Sequence, residues 1–266
     1  MLVDAGWPVT LPHLAASQEG YAGDQAFSTG QLRAGLGKLA FSLGGSDGAS
    51  ASAGTGTGNP SMIIVVEGPS AAGKTTWIAA HRHGAAVIAE AQPGPAPHRG
   101  SDPASAAIHW AKVSASRWAA ACQAEQRAEI AVCDTDPFKL HYVWCLWQTG
   151  HATARQWRAE MNANRQLFAS GRLGIADLIL VSIPEQAVLS ARHHADTTRR
   201  RRNFDLHAQL AHPLRDWYRA VSALDPDRVR WHLPATGIPD LGMLQRRNPR
   251  TGTAIFDSLM DQLAAR

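Results

Sequence analysis

Five short apolar runs, separated by longer amphipathic stretches, mark the chain from residue 62 onward. The runs are Met62–Glu67, Ala85–Ala89, Ile130–Cys133, Leu178–Ser182 and Val229–Leu233. Met62–Glu67 is a continuous apolar run without polar alternation, which is typical of a strand that is buried on both faces of a parallel sheet. We therefore expect five strands in one parallel sheet.

Helical spacing of apolar residues fills most of the intervals between these runs. The predicted helices are Lys74–His83, Pro103–Ala128, Phe138–Gln148, Thr153–Ser170, Pro184–His193, Asp205–Ala223 and Thr253–Ala265. The longest has a clear start, because Ser101 and Asp102 are good helix caps and Pro103 suits the first helical position. Alternating strands and helices predict an α/β fold, a doubly wound five-stranded parallel sheet.

The first sixty residues differ from the rest in composition. They hold twelve of the 23 glycines, and residues 44–60 consist mainly of Gly, Ser, Ala and Thr. Such a stretch cannot bury enough apolar surface to offset its ordering entropy, so we expect residues 1–60 to form a flexible extension before a domain at 61–266. A short helix at Gln31–Leu43 and a natural start at Met62 are two further hypotheses.

Composition places the chain among globular proteins, with 45% hydrophobic and 18% charged residues. The net charge of +4 is small and does not by itself indicate nucleic-acid binding. The three cysteines have no CxxC spacing, so neither a zinc site nor a disulfide framework is predicted. No apolar run approaches the ~18 residues of a membrane-spanning helix, and no secretory signal is evident, which predicts a soluble cytoplasmic protein without a membrane partner.

The segment between the first predicted strand and its following helix, Gly68–Thr75, matches the pattern G-x-x-x-x-G-K-[ST]. Glycines in this pattern let backbone N–H groups converge on phosphate oxygens at the positive end of a helix. Lys74 adds a charge for the β- and γ-phosphates, and Thr75 offers a hydroxyl to Mg²⁺, so ATP and Mg²⁺ are the predicted cofactors. The predicted nucleotide-binding residues are Gly68, Ser70, Ala71, Ala72, Gly73, Lys74, Thr75 and Thr76.

Acidic residues follow two other predicted strands at the same edge of the sheet. Asp134 lies where the Mg²⁺ of such a loop needs an anion; a helix cap is the alternative, and the two roles can coexist. Glu90 can accept a proton from an attacking hydroxyl as a general base, the alternative being a solvent-exposed glutamate. Asp136 is a secondary candidate for the metal, and Glu67 for orienting the loop from beneath.

A cluster of arginines lies between the fourth predicted strand and the helix predicted from Asp205. It comprises Arg192 and Arg199–Arg202. Arginines on a closing segment would stabilise a transferring phosphoryl group and exclude water; a solvated basic face, a nucleic-acid patch and arginine-rich coding bias are the alternatives. We predict a lid over about residues 192–204, with Arg192 and Arg199 as catalytic candidates, and Trp110 and Tyr142 as candidates for lining an acceptor pocket or for the core.

These motifs together resemble the P-loop nucleoside and nucleotide kinases, of the thymidylate kinase, deoxynucleoside kinase or ribosylnicotinamide kinase type. The resemblance covers about residues 62–262 and is carried by EGPSAAGKTT (67–76), AEAQPG (89–94), CDTDP (133–137), the passage 176–202 and LPATG (233–237). By this resemblance the five segments correspond, in the same order, to the phosphate loop, the motif that contacts the acceptor, the motif that helps bind Mg²⁺ and substrate, the lid passage and the loop that contacts adenine. The chain departs from the family at Thr135, where arginine is frequent, and at Gln92, which separates Glu90 from Pro93.

The resemblance implies an ATP-dependent kinase with a small-molecule acceptor. A free carboxylate at Glu90 suits a hydroxyl better than a phosphate, which favours a nucleoside or nucleoside-like acceptor over the alternative, a nucleoside monophosphate. A second alternative is a P-loop NTPase without an acceptor, although the chain contains neither N-K-x-D nor an Asp-Glu pair. The small net charge disfavours a nucleic-acid partner. Self-association into a homodimer stays open.

Overall fold

The computed structural model describes residues 61–90, 97, 99–196, 204–239 and 246–266. Its strands are β1 Met62–Glu67, β2 Ala86–Ile88, β3 Ile130–Asp134, β4 Leu178–Val181 and β5 Val229–Arg230. Its helices are α1 Lys74–His81, α2 Pro103–Ala128, α3 Leu140–Gln148, α4 Ala154–Ala169, α5 Gln186–Ala195, α6 Phe204–Gln209, α7 Ala211–Leu224 and α8 Thr253–Ala264. The predicted extension at 1–60 lies outside the described residues.

The strands form one parallel sheet in the order β2-β3-β1-β4-β5. The α/β class and the five-stranded parallel sheet predicted from the sequence are thereby confirmed. All six residues of the central strand β1 are buried. A central strand covered on both faces has no solvent side, which explains why its sequence shows no polar alternation.

The strand order reverses beside β1. The chain forms β2 and β3 on one side of β1 and then crosses to place β4 and β5 on the other. In open parallel sheets, ligands bind outside the carboxyl ends of the strands at such a reversal. Val66 pairs with Asp134 and Glu67 with Val181, so the carboxyl ends of these three strands are level.

The fifth strand is shorter than predicted. It ends at Arg230 and not at Leu233, and it pairs with β4 through only two residue pairs. Trp231, the next residue, is 43% exposed. β4 continues to Val181, one residue beyond the Leu180 that pairs with Arg230, so the end of β5 depends on how far it pairs with this one neighbour and cannot be read from its own sequence.

The helix predicted over Asp205–Ala223 is divided at Leu210 into α6 and α7. Pro213 provides the physical reason. It has no N–H to bond the carbonyl of Gln209, and its ring clashes with that carbonyl in a continuous helix. The regular bonding resumes when Leu214 N–H donates to Leu210 O at 2.9 Å.

A buried network of ion pairs joins elements at the opposite edge of the sheet. Asp177 accepts hydrogen bonds from the N–H of Ile63 at 2.8 Å and from Arg250 Nε at 2.7 Å. Arg250 also pairs with both carboxylate oxygens of Glu125, at 2.7 and 2.9 Å. These ion pairs lie at the amino end of β1, away from the carboxyl edge of the sheet.

Among the described helices, none has the length and apolar character needed to cross a membrane.

Candidate functional site

A cleft of about 670 Å³ opens at the carboxyl edge of the sheet. The loop 68–73 and the first turns of α1 line one part of it. Glu90, Thr135, Lys139 and Tyr142 line another part, together with residues of α6 and α7. The structure therefore brings the predicted phosphate loop and the predicted acceptor carboxylate into one cavity.

The loop between β1 and α1 is shaped by unusual backbone conformations. Gly73 and Ala71 are left-handed, with φ of 92° and 67°. A Cβ on Gly68 would lie 2.1 Å from the carbonyl oxygen of Ser182, so only glycine fits against the end of β4. Helix α1 then begins at Lys74 without a side-chain cap, which leaves its first N–H groups available to an anion.

Lys74 folds back over this loop. Its Nζ donates to the carbonyl oxygens of Gly68 at 2.7 Å and Pro69 at 3.1 Å. Burial lowers the pKa of Lys74 below its ordinary value, and the nearby carboxylate of Glu67 opposes that shift. The ammonium group is thus held at the loop, where the sequence pattern predicts phosphate oxygens.

The two predicted metal ligands are in direct contact. Thr75 Oγ1 donates to Asp134 Oδ2 at 2.7 Å. The other carboxylate oxygen, Asp134 Oδ1, is buried and has no hydrogen-bond partner in the described part of the chain. A buried carboxylate oxygen is costly unless a cation or a donor completes it, and oxygen ligands are those that Mg²⁺ prefers. The two residues therefore fit this ion.

The described residues contain no group of three or more His, Cys, Asp or Glu side chains arranged for a metal. Mg²⁺ does not need such a group, because it usually binds one or two carboxylates and completes its shell with water and substrate phosphates. A hydroxyl beside one carboxylate, as at Thr75 and Asp134, is compatible with that mode of binding.

Glu67, at the end of β1, is buried beneath the loop and connects it to the segment after β3. Its Oε1 accepts from the N–H of Gly68 at 2.8 Å, and its Oε2 accepts from the N–H of Asp136 at 2.9 Å. Burial alone would raise the pKa of Glu67, but Lys139 and neighbouring basic groups lower it to about 2. The ionised carboxylate therefore fixes the loop relative to β3.

Asp136 and His141 extend this buried polar layer. Asp136 accepts from the hydroxyl of Tyr218 at 3.1 Å and from the N–H of Phe138 at 2.8 Å. Burial raises the pKa of Asp136 to about 7 and lowers the pKa of His141 to about 4, so this imidazole is neutral near pH 7. Both carboxylate oxygens of Asp136 are thus engaged within the protein, in contrast to Asp134 Oδ1.

Glu90 lies at the mouth of the cleft, after β2. Its side chain is 60% exposed, and its Oε1 lies 3.8 Å from Lys139 Nζ. The part of its sequence motif that follows it, residues 91–94, lies outside the described residues. The exposure leaves the Glu90 carboxylate accessible to a molecule in the cleft.

Arg192 contacts the phosphate loop from the side of α5. Its Nη1 donates to the carbonyl oxygens of Ala72 at 3.0 Å and Ala71 at 3.5 Å. This places a guanidinium group beside the loop. Arg199, with the rest of Arg199–Arg202, lies outside the described residues, so the predicted lid is described only at its two ends.

The two aromatic candidates differ in position. Tyr142 lines the cleft, and its hydroxyl lies 3.5 Å from His207 Nε2. Trp110 is absent from the residues that line the cleft; the guanidinium of Arg99 lies 4.6 Å from the centre of its ring and pairs with Glu160 at 2.6 Å. Of the two aromatic candidates, Tyr142 is thus the one that lines the cleft.

The loop after β5 packs against α1. The carbonyl oxygen of Pro234 accepts from Trp77 Nε1 at 2.8 Å. Gly237 has φ of 96°, and a Cβ there would lie 2.9 Å from the ring of His81. This loop thus lies beside the helix that follows the phosphate loop.

Arg117, in α2, is a buried residue that the sequence analysis did not single out. Its guanidinium donates to the carbonyl oxygens of Asp134 at 2.7 Å, Thr135 at 2.9 Å, Asp136 at 3.1 Å and Ala89 at 3.3 Å. Thr135 has φ of 68°, which is strained for a β-branched residue and typical of functional sites. Arg117 therefore holds the ends of β2 and β3 in a shape that the local sequence disfavours.

We expect Arg117→Met to lower the free energy of unfolding by about 3 kcal/mol, because it leaves several buried carbonyl oxygens without donors. Urea unfolding followed by fluorescence measures this loss. Arg127→Met, at an exposed position of the same helix, is the control and should change stability by less than about 0.5 kcal/mol. Equal stabilities of the two variants would show that Arg117 does not brace the site.

Neither a protein-family model nor a curated protein sequence matches this chain. Solved structures that match include three of deoxyadenosine kinase from M. mycoides, one with bound dATP, one with the products dCMP and dCDP, and one with bound dCTP. Sequence identity is 12% and the TM-scores are 0.42, 0.42 and 0.43, over 76–77% of this chain and 98–100% of those chains. At these values the likeness carries no argument about activity.

Proposed function

We propose that this protein is an ATP-dependent kinase that transfers the γ-phosphoryl group to a hydroxyl of a nucleoside or nucleoside-like acceptor. The observation that carries the proposal is the shared cleft, lined by residues 67–76 and also by Glu90, Lys139 and Tyr142. Its volume of about 670 Å³ falls among small-molecule sites, which span roughly 300–1,000 Å³.

The nucleotide part of the cleft supports binding of a triphosphate. The uncapped N–H groups of α1 and the Lys74 ammonium would bind the β- and γ-phosphates. Thr75 and Asp134 would hold Mg²⁺, directly or through water, and the ion would neutralise charge on the phosphate oxygens. Arg192, bonded to the loop carbonyls, would add a further positive charge beside the transferring group.

The acceptor part supports proton transfer to Glu90. In the proposed reaction the acceptor O–H bond breaks, its proton passes to Glu90, and its oxygen forms a bond to the γ-phosphorus. The bond from that phosphorus to the β–γ bridging oxygen breaks, and ADP leaves with the electron pair. Tyr142 and His207 provide aromatic surface on this wall of the cleft, which suits a flat base or similar ring.

Charge at the acceptor end supports a hydroxyl over a phosphate as the accepting group. Two carboxylates, Glu67 and Glu90, flank the single cation Lys139 in the described part of this wall. Arg99 is already paired with Glu160. A doubly charged monophosphate placed here would meet repulsion from Glu90 that Lys139 alone offsets only in part.

Incubation of the purified protein with ATP·Mg²⁺ and a panel of nucleosides, nucleoside monophosphates and sugar alcohols tests this function. We expect a phosphorylated nucleoside or nucleoside analogue by mass spectrometry, formed in equal amount to ADP and abolished by EDTA. Transfer to monophosphates alone would favour the nucleotide-kinase alternative. ADP and phosphate without a phosphorylated product would favour an NTPase, and no turnover at all would refute the proposal.

A further inference from the structure

We propose that Lys139 binds the reacting oxygen of the acceptor and positions it against Glu90, an inference that rests on the proposed function. Lys139 immediately precedes α3, at the end of a tight turn in which its N–H donates to Pro137 O at 2.9 Å. This turn after β3 brings the side chain into the wall of the cleft, on the same wall as Glu90.

Within the described part of the chain, the contacts of Lys139 leave its donors available to a ligand. Its Nζ lies 3.9 Å from Glu67 Oε2 and 3.8 Å from Glu90 Oε1, and both distances are too long for a hydrogen bond. An ammonium group has three donors, and the side chain is 29% exposed. Lys74 differs, because it donates to two carbonyl oxygens of the loop.

The two carboxylates beside Lys139 have different roles. Glu67 is buried and held by the N–H groups of Gly68 and Asp136, so it anchors the ammonium from within the protein. Glu90 is exposed and has room to receive a proton. An acceptor oxygen between Lys139 and Glu90 would have a base on one side and a cation on the other.

This arrangement assigns Lys139 a part in the transfer itself. As the acceptor oxygen loses its proton to Glu90 and bonds to the γ-phosphorus, it carries partial negative charge. The Lys139 ammonium would stabilise that charge by a charge-assisted hydrogen bond, which is stronger than one between neutral groups. Loss of the Lys139 ammonium should therefore weaken acceptor binding and slow the transfer, and it should leave ATP binding unchanged.

The test compares Lys139→Gln, Lys139→Arg and the control Lys112→Gln, an exposed lysine on α2, with an acceptor that the wild type phosphorylates. We expect Lys139→Gln to lower kcat/KM for the acceptor by roughly 10²-fold while KM for ATP changes less than about twofold. Lys139→Arg should restore most of the rate, and Lys112→Gln should match the wild type. Lys139→Met replaces the glutamine variant if the latter does not fold.

A double-mutant cycle that combines Lys139→Gln with Glu90→Gln tests whether Lys139 acts together with Glu90. Because both side chains act on one oxygen, the double variant should lose far less activity than the product of the two single losses. Wild-type kinetics for Lys139→Gln, or losses that multiply, would overturn the role of Lys139 while transfer by the wild type left the kinase function standing. A wild type that phosphorylates no acceptor would overturn both.

Discussion

Replacement of Lys74 by alanine should lower kcat for phosphoryl transfer by roughly 10³-fold or more and abolish the thermal stabilisation by ATP. The loop would keep its glycines and the N–H groups of α1 but lose the ammonium group that the structure holds at the carbonyl oxygens of Gly68 and Pro69. The unliganded protein should unfold within a few degrees of the wild type, because only two hydrogen bonds from Lys74 Nζ are lost.

Differential scanning fluorimetry with a non-hydrolysable ATP analogue, beside steady-state kinetics, measures both parts of this result. Lys112→Ala is the matched control, since this lysine is exposed on α2 and remote from the loop in sequence. A Lys74→Ala protein that still shows the full nucleotide-dependent shift would show that the loop does not bind the triphosphate through this residue.

Replacement of Asp134 by asparagine should lower kcat by roughly 10²–10³-fold and raise the Mg²⁺ concentration needed for half-maximal rate. The amide retains an oxygen for the hydroxyl of Thr75 but removes the negative charge that would hold the ion. The stability of the metal-free protein, in contrast, should not decrease. Asp134 Oδ1 is buried without a partner in the described structure, so an uncharged amide there should make the metal-free protein at least as stable as the wild type.

Measuring the rate at a series of Mg²⁺ concentrations tests the predicted change in Mg²⁺ dependence. Thermal unfolding in the presence of EDTA tests the predicted stability. Thr75→Ser, which keeps the hydroxyl, is the conservative control and should retain most of the activity. An asparagine variant with unchanged Mg²⁺ dependence, or one that lost activity only because it unfolds, would contradict metal binding at Asp134.

The central strand of the sheet was predictable because burial on both faces requires an apolar sequence. Met62–Glu67 has the same bounds in the prediction and in the structure, since a strand covered on both faces is apolar throughout. The end of β5 and the division of the helix at Leu210 were not predicted. The first depends on how far β5 pairs with its one neighbour, β4, and the second on a proline whose effect was outweighed by helical spacing on either side.

The candidate site was predictable only where a sequence motif lies between a recognisable strand and a recognisable helix. The loop at Gly68–Thr75 does so, whereas Arg117 and Lys139 acquire their contacts from the tertiary structure and have no local signature. A signal for Lys139 was nevertheless present. Lysine is rare in this arginine-rich chain, occurring at positions 38, 74, 112 and 139, and two of the three that lie in the described residues, Lys74 and Lys139, line the cleft.

The break between α6 and α7 separates two duties along one stretch of chain. The short helix before the break presents His207 to the cleft, whereas the longer helix after it contributes Leu214 to the cleft and the fully buried Trp217 and Tyr218 to the scaffold, Tyr218 being bonded to Asp136. Substitutions at His207 should therefore change the wall of the chamber while Trp217 and Tyr218 keep their places. Under the proposed kinase function, acceptor preference would then change at this position while the phosphate loop stays as it is.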